Sequence, residues 1–229
     1  MKQPKYHYDI EQGTEEWLSV RLGIVTASEM NNIITPKGAP TKNEKMRSYA
    51  CQIAAEREFA FIEDHYESYD MMRGTAEEGN ARDVYNETYD EVKQCGFITR
   101  EIDGITVGAS PDGLVGDDGC IEIKSRKAKF QVQTILSGEV PAEYMNQIQA
   151  VLLISGREWC DFIQYSNGLP LFVKRVTVDH ERQDKIKTAI IEFEKVVVEY
   201  IEGFRVKSSG LVKTERVEVV FADDMITEA

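Results

Sequence analysis

The sequence predicts one α/β domain followed by a short C-terminal extension. Three observations predict it. Apolar residues recur at helical spacing through the first part of the chain, up to Thr88. From Val92 onward the pattern changes to short strand-like runs punctuated by Asp-Gly pairs. A long amphipathic stretch, His180 to Phe204, then closes the domain as a helix.

The elements follow in order. Glu15 to Leu22 is a short helix. A second starts near Thr26, because Thr26-Ala27-Ser28-Glu29 fits the S/T-x-x-E capping box. "TPKGAPTK", residues 35–42, is a loop by its Gly and Pro content. A long helix covers Lys45 to Glu63, and another runs from about Met72 to Thr88, interrupted by Gly74 and Gly79. "CGFITREIDGITVG" is a hairpin turning at Asp103-Gly104. Asp112-Gly113 and Asp118-Gly119 mark further turns, and Cys120 to Lys124 is a strand. Residues 127–138 and 142–155 are helical. "EWCDFIQYS" and "LFVKRVTVD" are strands joined around Asn167-Gly168. "KSSG", residues 207–210, is a linker, and the last twenty residues are expected to hold a strand with a frayed acidic end.

Composition narrows the class. The chain has 229 residues, 42% hydrophobic and 29% charged, which is ordinary globular material with room for a core. No apolar signal segment begins the chain, and the longest apolar run, Ala150 to Ile154, is too short to span a bilayer. A cytoplasmic location without membrane contact is therefore expected. Cys51, Cys95, Cys120 and Cys160 form no C-x-x-C pair and are expected to be reduced, buried thiols, and the three histidines are scattered. The net charge of −13 argues against a general nucleic-acid binder, but its distribution softens that objection. The excess of acid is concentrated between Glu56 and Glu91, whereas Lys124, Arg126, Lys127 and Lys129 form a basic rim after Glu122.

The informative stretch is "SPDGLVGDDGCIEIKSR", residues 110–126. Alternation puts Glu122 and Lys124 on one face of their strand and Ile121 and Ile123 on the core face. The short segment 113–119 returns Asp112 to the side of Glu122. Two carboxylates so close repel unless a cation lies between them, and their oxygens suit Mg²⁺ or Mn²⁺. The Ile123 carbonyl could add another oxygen. Lys124 would hold or activate a water or stabilise charge at phosphorus. The competing reading is a solvated strand face, for which E-x-K is common. Glu77-Glu78 could supply a third carboxylate from a helix, or lie on its solvent face. Gln147 and Gln149 could point inward from an apolar helix toward a site, or sit at its rim.

Pro111, Asp112, Glu122 and Lys124 together form P-D-x9-E-x-K, which resembles the PD-(D/E)XK nuclease superfamily. "WLSVRLGIVTASEM", "RGTAEEGNAR", "SPDGLVGDDGCIEIK" and "YMNQIQ" occur in the order seen in the bacteriophage lambda exonuclease family within it, over roughly residues 10–180. That resemblance implies a restriction-endonuclease-like core, a small mixed sheet flanked by helices, across residues 1–206, with 207–229 as an extension. It implies a Mg²⁺-dependent 5′-to-3′ exonuclease acting on double-stranded DNA ends, with Mn²⁺ as a substitute ion. It also implies a homotrimer, a single-strand annealing partner, and a phage or prophage gene expressed in a bacterial host. By position, Glu78, Asp112, Glu122 and the Ile123 carbonyl would be metal ligands, with Asp112, Glu122, Lys124 and Gln147 catalytic. Arg21, Ser28 and Ser110 match a 5′-phosphate pocket. The chain departs from the family pattern with Glu77 where Tyr is frequent, which leaves Glu77 or Glu78 open as the ligand, and with Ser125-Arg126 after the lysine. A RecB-like, CRISPR-associated or restriction-type nuclease, or a catalytically silent DNA-binding module, are the alternatives. The absence of clustered cysteines speaks against an iron–sulfur cluster.

Overall fold

A computed structural model describes residues 1–63 and 69–217. Two sheets share one main core. The first has the order β1 (Lys5–His7), β4 (Phe97–Ile102), β5 (Ile105–Ala109), β2 (Val25–Thr26). The second has the order β3 (Val92–Lys93), β6 (Gly113–Val115), β7 (Gly119–Ser125), β8 (Trp159–Tyr165), β9 (Phe172–Thr177). Both are mixed: β2 pairs parallel to β5 and β7 parallel to β8, and the remaining pairs are antiparallel.

The helices are α1 (Glu15–Arg21), α2 (Met30–Ile33), α3 (Glu44–Phe59), α4 (Tyr69–Thr88), α5 (Ala128–Ser137), α6 (Met145–Ser155) and α7 (His180–Ser208). Helix α6 is apolar nearly all round and lies at the centre, against β4, β5 and β8 on one side and α7 on another. That burial is what an unbroken "AVLLIS" run requires. Helix α4 covers the opposite face of β7 and β8. There Ala81 and Tyr85 meet Val115, Ile121, Ile123 and Ile163 in a second, smaller core. Strand β7 is thus buried on both faces: Ile121 and Ile123 enter the smaller core, and Cys120 enters the main one. The reading of Ile121 and Ile123 as core-facing holds. The alternative of a solvated face for Glu122 does not, because Glu122 is 1% exposed.

Several local expectations are corrected. Asp103 (φ 49) and Gly104 (φ 85) do turn the β4–β5 hairpin, both in the left-handed region that a two-residue turn needs. Asp112-Gly113 is not a turn. Gly113 opens β6, and its missing side chain makes room for Val92, whose Cγ1 would lie 2.0 Å from a Cβ there. The reversal comes instead at residues 116–118. Helix α4 passes through Gly74 and Gly79 without a break. Helix α3 stops at Phe59, where Ala60 adopts φ 57, rather than at Glu63. Thr26 does precede a 3-10 turn, Ala27–Glu29, but its side chain caps nothing: Thr26 Oγ1 meets Ser28 Oγ at 3.1 Å, and Glu29 accepts from Asn32 at 2.5 Å. Helix α7 continues to Ser208, so the start of "KSSG" is helical. Of the expected terminal strand, residues 212–217 carry no regular structure and 218–229 lie outside the described residues. Cys95, Cys120 and Cys160 are buried free thiols, whereas Cys51 is exposed.

Candidate active site

The β6–β7 hairpin builds the site. Gly113 stands opposite Ile121, and continuing that register by one residue sets Asp112 beside Glu122. The Asp112 backbone N–H donates to the Ile121 carbonyl at 3.2 Å, and the Ile123 N–H donates to Asp112 Oδ2 at 2.5 Å. The carboxylate of Asp112 is thereby fixed across the strand that carries Glu122 and Lys124. On that strand Lys124 Nζ lies 2.6 Å from Glu122 Oε1. The same oxygen accepts from Gln147 Nε2 at 2.5 Å, so Gln147 faces inward from the first turn of α6. Gln149 points elsewhere. It donates to the Thr177 carbonyl at 2.7 Å and accepts from the Asp179 N–H at 2.9 Å, tying α6 to the start of α7.

Helix α4 supplies the next carboxylates. Glu78 Oε1 accepts from Arg82 Nη2 at 2.5 Å, while Arg82 Nε donates to the Asp112 carbonyl at 3.0 Å. Arg82 therefore ties Glu78 to the hairpin. Its position one helical turn after Glu78 was the available sequence signal. Glu77 is turned to the far end of β7, where it accepts from Ser125 Oγ and lies 3.8 Å from Arg73.

The electrostatics are those of crowded acids. Burial raises the proton affinity of Asp112 well above the ordinary aspartate, and the charges of Glu122 and Glu78 raise it further against the pull of Lys124. Burial raises Glu78 as well, opposed by Arg82 and reinforced by Glu122. For Lys124, burial alone would favour the neutral amine, but Glu122 and Asp112 outweigh it and hold the ammonium charged above its usual range. Glu122 Oε2 is buried and has no hydrogen-bond partner among the described residues. An orphaned carboxylate oxygen inside a protein costs more than an orphaned neutral group, and a cation is the partner that offsets it.

This oxygen-only donor set with one free buried oxygen fits a hard divalent ion. As placed, no three His, Cys, Asp or Glu side chains among the described residues are gathered closely enough to hold a metal. The acidic oxygens are turned to Lys124, Gln147, Arg82 and the Ile123 N–H.

The phosphate-pocket candidates are brought together in part. The Arg21 guanidinium stacks 3.8 Å over the Trp17 ring, and Trp17 Nε1 donates to Ser110 Oγ at 2.9 Å. Ser110 Oγ donates in turn to the Gly96 carbonyl at 2.9 Å. Burial lowers the proton affinity of Arg21, against the nearby Tyr49, Glu29 and Glu56. No carboxylate among the described residues forms an ion pair with it. Ser28 is exposed and shares a hydrogen bond with Thr26, and among the described residues none joins it to Arg21 or Ser110. Trp17, like Arg82, is a residue that sequence reasoning missed, although its i, i+4 spacing to Arg21 on α1 was visible.

The model of the YqaJ-like viral recombinase domain matches residues 16–158. The chain belongs to this family. Every candidate residue named above, from Arg21 to Gln147, falls inside the matched span. Among solved structures, the chain is similar to an alkaline exonuclease (LHK-Exo) from Laribacter hongkongensis. Identity is 34% and the TM-score 0.75, over 87% of this chain and all of that one. The same enzyme in complex with dAMP gives 34%, 0.76 and the same coverage. A phage-related exonuclease from Haemophilus somnus 129PT shares the fold at 15% identity and a TM-score of 0.58, over 79% of this chain and 96% of that one. No curated protein matches the chain. The YqaJ-like assignment makes the chain an enzyme, a nuclease by family, with the PD-(D/E)XK fold that its hairpin pattern resembles. Among the described residues no helix is long and apolar enough to cross a membrane.

Proposed function

We propose that the chain is a Mg²⁺-dependent deoxyribonuclease that digests one strand of duplex DNA from its 5′ end and leaves 3′ single-stranded tails. The observation that carries this is Glu122: a buried carboxylate with one oxygen held by Lys124 and Gln147 and the other unpartnered, beside a second carboxylate of raised proton affinity. Glu78, Asp112, Glu122 and the Ile123 carbonyl are the ligands, with Mn²⁺ as a substitute ion. Two cations bound there would polarise the scissile phosphate, activate water and offset charge on the leaving 3′ oxygen.

The chain's own groups have separable roles. Lys124, which donates to Glu122 Oε1 at 2.6 Å, is placed to hold or activate the incoming water or to stabilise charge developing at phosphorus. Gln147 fixes the orientation of the Glu122 carboxylate. Arg82 holds Glu78 and the Asp112 backbone in a single unit. Arg21, backed by Trp17, and Ser110 receive the 5′-phosphate, with Ser28 at the rim. A guanidinium without an ion-pair partner among the described residues is suited to that task. A homotrimer around the duplex and a single-strand annealing partner complete the proposal on family resemblance alone.

The test is a digestion series with Mg²⁺ on linear duplex bearing 5′-phosphate or 5′-hydroxyl ends and on closed circular duplex. Loss of linear DNA with 3′ tails and an intact circle is expected. Cutting of the circle would favour the endonuclease reading, and no metal-dependent loss of any form would overturn nuclease chemistry at Glu122.

A further inference from the structure

Helix α1 and strand β2 are joined by Leu22-Gly23-Ile24, and the middle residue of that link is gripped from two sides. Gly23 is buried and has φ 66, in the left-handed region. A buried residue needs partners for its backbone N–H and its carbonyl. Two consecutive residues of α3 supply both. The Gly23 N–H donates to Glu56 Oε2 at 2.8 Å, and the Gly23 carbonyl accepts from Arg57 Nε at 2.8 Å. The missing side chain is part of the fit, since a Cβ at Gly23 would lie 2.6 Å from Arg57 Cγ.

The grip is itself anchored. Gln52 Nε2 donates to Glu56 Oε1 at 2.9 Å, so both oxygens of the buried Glu56 carboxylate are engaged. The outer nitrogens of Arg57 fork onto the Glu194 carboxylate of α7 at 2.6 and 3.0 Å. Contacts thus run without a gap from α7 through Arg57 to Gly23.

Gly23 in turn sets the place of Arg21. The Ile24 N–H donates to the Arg21 carbonyl at 3.1 Å, so the link is a tight turn that carries the end of α1 with it. On its other side Val25 pairs with Val107 of β5, the strand that leads into Ser110. Holding Gly23 therefore fixes Arg21 relative to Ser110.

The charge of Glu56 has a consequence of its own. Among the described residues neither its carboxylate nor the Arg21 guanidinium forms an ion pair. Burial works against the charge of Arg21, and Glu56 is among the groups that work for it. A carboxylate in direct contact with Arg21 would occupy the donors that a phosphate needs. One held back by Gly23 and Gln52 favours the charged guanidinium and leaves those donors open. A neutral acceptor would satisfy the turn, whereas an acid also serves a nearby cation.

We propose that Glu56 and Arg57 are positioning residues for the 5′-phosphate pocket: together they clamp Gly23 and so aim Arg21, and Glu56 is the withheld counter-charge of its guanidinium. The proposal rests on the pocket reading given above. Loosening the clamp weakens recognition of the DNA end and leaves the acidic cluster intact, because the β6–β7 hairpin and α4 hold that cluster separately.

Steady-state digestion tests it, with kcat and KM measured in Mg²⁺ on duplexes bearing 5′-phosphate or 5′-hydroxyl ends. Glu56→Gln keeps an acceptor for the Gly23 N–H and removes the charge. Arg57→Lys keeps a cation for Glu194 and loses the fork that joins Glu194 to Gly23. Each variant is expected to raise KM for 5′-phosphorylated duplex about tenfold with kcat little changed, and to keep kcat/KM on 5′-hydroxyl duplex within about twofold of wild type, as for loss of one hydrogen bond to a charged group that acts in binding alone. A role in folding alone would lower rates on both ends together, or lower Tm with the end preference intact. Either result overturns the proposal and leaves the pocket and nuclease readings standing. Arg57 and Glu194 are only half-buried, so Arg57→Lys decides the matter should Glu56→Gln fail to fold. Equal rates on both ends in the wild type would overturn the pocket and this proposal with it, and no digestion of any duplex would overturn the nuclease reading itself.

Discussion

Asp112→Asn should stabilise the metal-free protein while abolishing its activity. The substitution keeps an oxygen to accept from the Ile123 N–H and removes a negative charge that faces Glu122 and Glu78. Cross-strand neighbours lie ~5 Å apart, and a like-charge pair at that distance costs about 3 kcal/mol at an effective dielectric of ~20. Attraction to Lys124 returns part of this, so the net gain is roughly 1–3 kcal/mol at pH 8. For a chain of this size that raises Tm by ~3–10 °C. The pH dependence has a definite sign. A carboxyl whose folded-state proton affinity is raised costs the wild type stability as pH climbs from the ordinary aspartate value, ~3.9, through the raised one. The advantage of the variant is therefore small near pH 4 and complete at alkaline pH. With Mg²⁺ the order reverses, because only the wild type gains ligand-binding energy. Thermal melts in EDTA and in 10 mM Mg²⁺, taken across ~pH 4–9, measure all of this. A variant that melts below wild type in EDTA at pH 8, or by a margin that does not change with pH, would show that the carboxylates do not crowd one another.

Four further outcomes follow. Lys124→Ala should lower kcat by ~10²–10³-fold yet bind Mg²⁺ about as well as wild type by calorimetry, since its ammonium is a donor and not a ligand. A fall in affinity matching that of Asp112→Asn would refute its role. Arg21→Ala should erase most of the preference for 5′-phosphate over 5′-hydroxyl ends, and equal rates in the wild type would show that no such pocket operates. Mg²⁺ affinity should fall as pH is lowered, over a range above that of ordinary carboxylates, because Asp112 and Glu78 must lose protons that burial favours. Affinity flat down to pH 5 would contradict this. Light scattering should report a multiple of 26.0 kDa, and a monomer at micromolar concentration with and without DNA would end the trimer proposal.

The hairpin was legible because its chemistry is local. Asp112, Glu122 and Lys124 lie within thirteen residues of one another, and strand alternation fixes their faces. Gln147 was legible as a polar residue at the head of an apolar helix, although its partner was not. What failed was whatever depended on a distant neighbour. Gly113 looked like a turn residue because of the aspartate before it, yet it is a glycine because Val92 packs where its side chain would be. The Thr26 capping box has the right letters, but the turn it starts is three residues long and the hydroxyl is taken by Ser28. Glu77 and Glu78 could not be separated from one sequence, since their difference lies in Ser125 and Arg82 as partners. The burial of Glu122 was likewise hidden, because an E-x-K strand at an edge and one between two neighbours are spelled alike.

The acidity of the chain and its proposed substrate are reconciled by the same geometry. An overall charge of −13 repels a duplex at distances beyond the Debye length of ~8 Å only weakly at physiological salt. Within that distance the local arrangement decides. Strand β7 carries Lys124 and is followed in the chain by Arg126, Lys127 and Lys129 at the start of α5, while α4 brings its carboxylates from the opposite face. Cation binding among Glu78, Asp112 and Glu122 would offset the negative charge gathered there. Metal loading and phosphate approach are then coupled: the acids that would repel a DNA strand in the metal-free protein become its anchor once the ions are bound. Weak DNA binding in EDTA that strengthens with Ca²⁺, and does not strengthen in Glu122→Gln, is the behaviour this coupling requires.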